Sequence, residues 1–428
     1  MKTPISKKLV VSVIGAGKMG LPLACQLASN GAQVIACDIN KTVVELINDG
    51  KCPFDEPGVP ELLENLVNQG QLEASCDIEK SISLSDVIIV IVPVLLNQNN
   101  EADLYAINKV TDQIAVSMKS GCLISYETTL PVGTTRKFES RFRGENRGGI
   151  KDFDLVFSPE RVKSQKVLNH LSNTAKIVGG ANSRAASRGA KFYAQYLRAP
   201  IINVGSLENA EFAKLAGMIY RDVNIALANE LAKYALSVGV NYIETVEASN
   251  TDGEAHLLSP GIGVGGHCTP VYPYFYIRQA ESLGIDHALA AKSREINDNQ
   301  ARYYIDLAED KVGNISEYSV VILGLGFRPN VKEHTLSSAF LIRDALLARN
   351  CVPKLVDPLY SAAEILKLGF VPGSIDAEIL IINTVHDQFR NIELNQLVNR
   401  GVKCIIDGRN LFVRGDVEKL GIQYVGVS

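Results

Sequence analysis

The sequence of 428 residues has no tryptophan, four methionines, six histidines and no surplus of basic charge: 43 Lys and Arg stand against 47 Asp and Glu, a net charge of −4. Without a basic excess nothing attracts the chain to phosphate backbones in general, so nucleic acid is not an expected partner. No apolar run approaches the ~20 residues a membrane-spanning helix needs. The longest, Val87–Leu96 (VIIVIVPVLL), is rich in Val and Ile and reads as a buried strand, so no membrane partner is expected. At the start, MKTPISKKLVVSVIGAG sets lysines before an apolar stretch, but Leu9–Ile14 is short and leads into a glycine motif, so no export signal is read. The eight cysteines (25, 37, 52, 76, 122, 268, 351, 404) show no CxxC and no ligand-like Cys/His spacing. That excludes a disulfide framework and gives no metal site; the reading is a reducing cytoplasm with most thiols as small core residues. Low-complexity segments and short repeats are absent too. What is present, 46% hydrophobic and 21% charged residues, describes an ordered chain with room for two to four domains of roughly 100–200 residues each.

Strand and helix patterns alternate from the start, which predicts an α/β fold with a mostly parallel sheet covered on both faces. Strands are expected at Leu9–Ile14, Gln33–Asp38, Val87–Val92, Leu123–Tyr126, Asp154–Phe157, Ile177–Val178 and Ile201–Val204, with helices at Gly20–Asn30 and Lys41–Asn48. From Glu208 to about Val238 one Ala-, Leu- and Glu-rich run has apolar residues on most faces. It predicts a helix roughly 45 Å long packed on several sides, connecting the halves and forming a dimer. A glycine-rich loop, Ser259–His267, precedes helices from about Tyr274 to Lys311. A second alternating block follows: strand Val320–Leu323, helix Ser337–Arg349, strand Val352–Val356, helix Ala362–Lys367, strand Ile379–Asn383, helix Leu394–Asn399 and strand Lys403–Asp407. The expected organisation is residues 1–205 as one α/β domain, 206–312 as a helical middle and 313–428 as a second α/β domain.

Gly15-Ala16-Gly17-Lys18-Met19-Gly20 follows the first strand and opens the first helix. There the first glycine permits a tight turn, the second lets backbone N–H groups approach a pyrophosphate, and the third lets helix and strand pack closely. The helix N-terminus adds about half a positive charge. Asp38, 23 residues after Gly15, can accept hydrogen bonds from a ribose 2′-OH and repel a 2′-phosphate, which favours NAD over NADP. The alternative is glycines that serve packing alone. Gly324-Leu325-Gly326-Phe327 lacks the third glycine, with Arg328 where a side chain can project to a phosphate; it is either a second nucleotide-binding half or a plain turn.

Between Ser259 and Pro270 lies SPGIGVGGHCTP. Four glycines in six positions are entropically costly, so this backbone is expected to approach a ligand closely or to need positive φ. Cys268 ends the loop, and Pro270 suits the first turn of a following helix, placing the thiol near a positive dipole end. The other reading is an inert core cysteine; His267 is adjacent but need not pair with it. In the long helix, Lys214, Met218, Arg221 and Ile225 share a face, and the two cations either reach solvent or point into an anionic site.

Together these segments resemble the UDP-glucose/GDP-mannose dehydrogenases, in the branch of UDP-N-acetylmannosamine and UDP-N-acetylglucosamine 6-dehydrogenases. The resemblance spans the chain: Gly15–Gly20 with Leu21-Pro22-Leu23-Ala24, Glu127-Thr128-Thr129-Leu130-Pro131-Val132-Gly133-Thr134-Thr135, Ser158-Pro159-Glu160-Arg161-Val162, Lys214-Leu215, Tyr220–Ala226, Asn229-Glu230-Leu231, Gly261–Cys268, Gly324–Pro329, Asp357-Pro358 and Asp407–Asn410. It implies an N-terminal Rossmann domain, a central long-helix dimerisation region (208–238) and a C-terminal Rossmann-like domain that binds the nucleotide sugar. It implies a cytoplasmic homodimer in polysaccharide biosynthesis that oxidises the C6 alcohol of a UDP-sugar to a carboxylate with two NAD in turn. Cys268 would be the nucleophile forming a thiohemiacetal and then a thioester, Lys214 the oxyanion clamp, Thr129 the residue positioning water, and Glu160 its support or base. Gly15, Gly17, Lys18, Met19, Gly20, Asp38, Pro93 and Thr128 would hold NAD. Arg161, Lys214, Arg221, Gly261, Gly263, Gly265, Gly266, Phe327 and Arg328 would hold the substrate.

The chain departs from the family pattern at four places. Met218 stands where an Asn is usual, Tyr272 where an Asp follows the cysteine by four, Thr335 where an Arg is usual, and Gln165 where a Gly follows Pro-Glu-Arg-Val. The leading expectation is a UDP-N-acetylhexosamine 6-dehydrogenase. The alternatives are a UDP-glucose 6-dehydrogenase or a relative arrested at the aldehyde, an attenuated cofactor-binding homologue, and a hydroxyacid dehydrogenase, which the cysteine loop argues against.

Overall fold

The computed structural model describes residues 8–144 and 152–426. The export-signal reading rests partly on residues 1–7, outside the described residues. The chain divides into two compact units, 1–216 and 217–428. Among the described residues no helix is long and apolar enough to cross a membrane, and no three His, Cys, Asp or Glu side chains cluster to hold a metal ion.

The first unit carries an eight-stranded sheet of β1 (Val10–Ile14), β2 (Gln33–Cys37), β3 (Leu72–Ser75), β4 (Val87–Val90), β5 (Cys122–Tyr126), β6 (Phe153–Phe157), β7 (Lys176–Gly180) and β8 (Ile201–Ser206). Their order is β3-β2-β1-β4-β5-β6-β7-β8. All neighbours are parallel except β6 and β7. The first six strands take the doubly wound order, which reverses between β1 and β4 and opens a crevice at their C-terminal ends. Strands β4, β5 and β6 are buried along their whole length, as Val/Ile/Leu/Phe runs covered on both faces require. The apolar run from Val87 is strand only to Val90; Pro93 is exposed in the loop beyond it. Proline has no N–H to donate, so the ladder stops early.

The second unit carries an all-parallel six-stranded sheet: β9 (Val320–Leu323), β10 (Lys354–Val356), β11 (Val371–Pro372), β12 (Ile379–Ile382), β13 (Cys404–Asp407) and β14 (Gln423–Val425). Its order, β11-β10-β9-β12-β13-β14, repeats that of the first six strands. Helices Tyr272–Leu283, Ala288–Asp298 and Gln300–Val312 precede it. The helix after the glycine loop starts at Tyr272, with Pro273 rather than Pro270 in its first turn.

The long helix is Leu207–Ser237, 31 residues, about 46 Å at ~1.5 Å per residue. Ala210, Leu215, Ala226, Ala228, Ala232 and Ala235 are buried, whereas Phe212, Tyr220, Leu227 and Tyr234 are exposed. Within this single chain, part of the helix's apolar surface is packed and part is exposed. Of the cysteines expected in the core, Cys25, Cys37, Cys122, Cys351 and Cys404 are buried, but Cys52 is half-buried and Cys76 exposed.

The glycine turn after β1 divides its labour. Gly15 has φ +106°, and its N–H bonds the Cys37 carbonyl at 2.8 Å. A Cβ on Gly20 would lie 1.8 Å from the Gly15 carbonyl oxygen, whereas one on Gly17 would meet nothing within 4 Å. Gly20→Ala should therefore destabilise the chain by about 1–3 kcal/mol, and Gly17→Ala should stay within about 0.5 kcal/mol of wild type. Urea unfolding of both variants checks this; equal effects would mean the two glycines pack alike.

Candidate active site

Asp38 follows β2, half-buried, with one carboxylate oxygen accepting from Ala16 N at 3.1 Å and the other from Asn40 N at 2.9 Å. It thus ties the strand end to the glycine turn. Lys18 and Met19 are half-buried in that turn, while Gly17 is exposed. Thr128, after β5, donates to the Val92 carbonyl at 2.6 Å, and Thr129 beside it is buried. Arg161 is exposed, with its guanidinium on the Ala175 carbonyl.

Glu160 lies in the loop after β6. Its carboxylate receives Arg161 N at 2.6 Å, Val162 N at 3.0 Å and the Lys176 ammonium at 3.1 Å. Its carbonyl receives the Lys214 ammonium at 2.6 Å. Burial opposes the Glu160 charge, but Lys176 and the backbone N–H of Arg161 outweigh it and hold the carboxyl below its usual range. A carboxylate held ionised in this way is a weak proton acceptor, so Glu160 suits support better than the role of base. Lys176 also pairs with Glu127, which accepts from Tyr193 Oη at 2.6 Å. Burial pushes Glu127 up to about 7 against the pull of Lys176.

The start of the long helix is fixed by side chains three residues apart. Glu208 pairs with Arg136 at 2.9 Å. Glu211 accepts from Gly133 N at 2.6 Å, Thr135 N at 2.9 Å and Thr135 Oγ1 at 2.6 Å, capping the helix Thr134–Gly144. Lys214 is the third. Gln165 has φ +67°, the left-handed region, which costs a non-glycine residue about 1–2 kcal/mol. The Glu56 carboxylate, 2.7 Å from its N–H, helps hold it there. That backbone accounts for a glycine being usual at this position.

In the second unit, Asp222 accepts from Arg294 Nη1 at 2.6 Å and from Asn297 Nδ2 at 2.8 Å; Asn297 accepts from Asn229, whose Oδ1 receives Gly261 N at 2.9 Å. This chain of bonds ties the cysteine loop to the long helix. Arg221 is exposed and Met218 half-buried. The loop then packs on protein. A Cβ would lie 2.5 Å from Arg409 at Gly261, 2.7 Å from Ser338 at Gly263 and 2.6 Å from Phe327 at Gly265. Of these loop glycines only Gly266 has positive φ. Positive φ is thus found at Gly266, and close packing against neighbouring segments is a further reason for glycine at Gly261, Gly263 and Gly265. Arg409 donates to the Gly263 carbonyl at 3.1 Å, and Gly266 N to the Thr335 carbonyl at 3.0 Å. Cys268 is half-buried, one turn ahead of Tyr272, with its carbonyl accepting Tyr272 N at 2.9 Å. His267 Nδ1 lies 3.5 Å from a Glu333 carboxylate oxygen.

The turn after β9 has the same backbone as the one after β1 and a different use. Gly324 has φ +93°, and its N–H bonds the Val356 carbonyl at 2.8 Å. Asp357 stands where Asp38 does, but it accepts from Leu325 N at 2.6 Å, Gly326 N at 3.3 Å and buried His386 at 3.1 Å. A Cβ on Gly324 would meet Thr384 at 2.5 Å. This acid is consumed internally, so the turn is not a second copy of the first site. Phe327 and Arg328 are half-buried beyond it.

Residues 9–197 match the NAD binding domain of the UDP-glucose/GDP-mannose dehydrogenase family, 208–299 its central domain and 321–414 its UDP binding domain. The chain belongs to that family. An NDP-N-acetyl-D-galactosaminuronic acid dehydrogenase of Ralstonia nicotianae is 30% identical over 94% of this chain and 96% of its own length. The solved UDP-D-ManNAc dehydrogenase of Pyrococcus horikoshii is 30% identical, with TM-score 0.89 over 98% of this chain and 99% of that one. A UDP-glucose dehydrogenase structure from Pyrobaculum islandicum is 26% identical, with TM-score 0.88 over 100% and 99%. The protein is an NAD-dependent nucleotide-sugar dehydrogenase, and its residues fit that cofactor. The space at Gly17 leaves backbone N–H groups approachable, and Asp38 is a carboxylate at the end of β2.

Among the residues that order the site, Lys176, Tyr193, Glu211 and Asn297 carried no motif signal, while Glu127 and Asn229 lay in segments of the resemblance without a role assigned to them. Only the i, i+3 spacing of Glu208, Glu211 and Lys214 marked a common helix face.

Removing the Asp38 charge should lower the preference for NAD over NADP, in kcat/KM, by about tenfold or more, the equivalent of about 1.4 kcal/mol. Asp38→Ala with an unchanged ratio would remove Asp38 from cofactor choice. A second prediction concerns Glu211, which burial pushes up from 4.5 to about 7. Its proton stabilises the fold fully below its ordinary pKa, and that contribution is lost as pH rises through the folded value. The stability of Glu211→Gln relative to wild type should therefore increase between about pH 5 and pH 8. A difference that falls over this range, in urea unfolding, would contradict the assignment.

Proposed function

We propose that this enzyme oxidises C6 of a UDP-N-acetylhexosamine to the carboxylate through a covalent cysteine adduct. One observation carries the reading. Cys268 is half-exposed at the end of a pinned loop, one turn ahead of a helix, whereas burial pushes the Cys25, Cys122 and Cys404 thiols up to about 12 and Cys37 to about 11. Those four are poor nucleophiles at neutral pH. The sugar class is supported by the printed names of the Ralstonia and Pyrococcus relatives.

In the first oxidation the C6 hydroxyl loses its proton and its carbon loses hydride, leaving an aldehyde. The Cys268 Sγ then bonds to that carbon, giving a thiohemiacetal whose oxyanion is balanced by a cation, the role proposed for Lys214. Loss of the second hydride leaves a thioester. Water adds, the C–S bond breaks, and the acid leaves with the thiol restored. NAD held by Gly15, Gly17, Lys18, Met19, Gly20, Asp38, Pro93 and Thr128 supplies the hydride acceptor. Thr129 orders the water, and Glu160 holds Lys214. Arg161, Arg221, Gly261, Gly263, Gly265, Gly266, Phe327 and Arg328 serve the UDP-sugar, with the loop glycines acting through their close packing.

We further propose three domains, 1–205, 206–312 and 313–428, a cytoplasmic homodimer, and a place in polysaccharide biosynthesis. The dimer is supported by Phe212, Tyr220, Leu227 and Tyr234 lying exposed along one helix. A second reading, arrest at the aldehyde, draws support from Met218 and Tyr272, neither of which supplies an amide or carboxylate.

With NAD and a panel of UDP-sugars, the expected yield is two NADH per sugar and an acid product. One NADH per sugar would favour arrest at the aldehyde, and none with any UDP-sugar would favour a non-catalytic homologue. Cys268→Ser should stop after the first oxidation; complete two-step turnover by that variant would refute the nucleophile.

A further inference from the structure

The steps above use Lys214 and leave unexplained the buried cation behind it. Lys176 opens β7, 5% exposed, with its ammonium between the Glu127 and Glu160 carboxylates and 5.1 Å from the centre of the Tyr193 ring. Glu127 is anchored at the end of β5 by Tyr193, whose hydroxyl also lies 2.6 Å from Ser125 Oγ. Glu160 N donates to the Glu127 carbonyl at 3.2 Å. Every polar group of Glu160 is thus engaged, and its carbonyl oxygen holds Lys214.

We propose that Lys176 is a positioning residue: held between Glu127 and Glu160, its ammonium fixes the loop at Pro159–Glu160 so that the Glu160 carbonyl seats the Lys214 ammonium. The effect on turnover rests on the role proposed for Lys214; the seating itself does not. Without the cation, two buried carboxylates face each other. Glu127 is held by a strand end and a tyrosine, so Glu160, in a loop, is the one that moves, and Lys214 moves with it. A buried ion cluster is a weak source of stability, because desolvation of the charges offsets their attraction. What the cluster supplies is a defined geometry.

The groups facing the cluster are Glu127 after β5, Glu160 after β6, Lys176 on β7, Tyr193 on the helix Ser183–Tyr196 and Lys214 on the long helix. Arg161 and His170 line a small cavity together with Glu160 and Lys176. Burial brings Glu127 to about 7, so its ionisation changes how Lys176 is shared near neutral pH, and that change should reach Lys214.

Two readouts test this, with protein labelled with 13C at lysine Cε and the Lys214 resonance identified by its loss in Lys214→Arg. In folded Lys176→Met the Lys214 resonance should move, and kcat with UDP-N-acetylmannosamine should fall by about 100-fold, the cost of a misplaced catalytic group, at unchanged NAD affinity. Lys176→Arg should restore both. A Lys214 resonance that stays in place in folded Lys176→Met would overturn the proposal. Should Lys176→Met not fold, Glu127→Gln decides. Because Glu211, on the same helix face as Lys214, is also raised to about 7, the comparison is made in a Glu211→Gln background: there the Lys214 resonance should show an inflection near pH 7 that adding Glu127→Gln removes, and an inflection that persists overturns the proposal. If wild type oxidises no UDP-sugar, the substrate reading fails while the resonance still decides the seating.

Discussion

A charge taken out of water has to be met by partners, and around the first sheet that requirement orders the ends of the strands. Glu127, Lys176 and Glu160 stand at or near the ends of β5, β7 and β6, and each is satisfied by the others or by backbone N–H groups. Because the loops must reach those partners, they take one conformation. The same rule sets the start of the long helix, where Glu211 accepts three hydrogen bonds from the cap of a neighbouring helix. In the second unit, Asp222 and Arg294 pair beneath the cysteine loop, though Asp222 Oδ2 and Arg294 Nε are buried without a hydrogen-bond partner among the described residues. Desolvation is what makes these contacts specific: a buried polar group left unpaired costs more than a good pair contributes.

The two sheets show how one backbone plan serves two purposes. Both begin strand, glycine turn, helix, and both place an aspartate after the second strand. Asp38 keeps a half-buried carboxylate at the edge of the crevice. Asp357 is 5% exposed and faces His386 and the turn itself; its carboxyl is held below the usual range despite burial, through His386 and backbone N–H groups. A ligand can compete for the first acid. The second already has all its partners.

Much of the fold was legible because period and composition are local. Helices Lys41–Asn48, Ala362–Lys367 and Leu394–Asn399 and strand Val320–Leu323 agree with the structure to the residue; Asn40 and Ser361 cap the first two helices, and a buried apolar run marks the strand. Strands β3, β11 and β14 escaped notice because each is short and at or near a sheet edge, with little apolar pattern. Helix Tyr105–Ser117 was missed for another reason: its apolar residues are spaced among Asn, Lys, Thr, Asp and Gln with no capping side chain at its start.

The glycine turn, the acid 23 residues on, the cysteine loop and the family resemblance could all be stated from the sequence, because each is a pattern of neighbours or of fixed spacing along the chain. Tertiary structure alone decided that the loop glycines pack against Phe327, Ser338 and Arg409, that Asp357 is turned inward, and that Glu160 is held ionised by Lys176. Each of these depends on residues 16 to 148 positions apart brought together by strand order. Their charges and contacts are properties of a buried environment, and burial is set by the whole fold rather than by any segment of it.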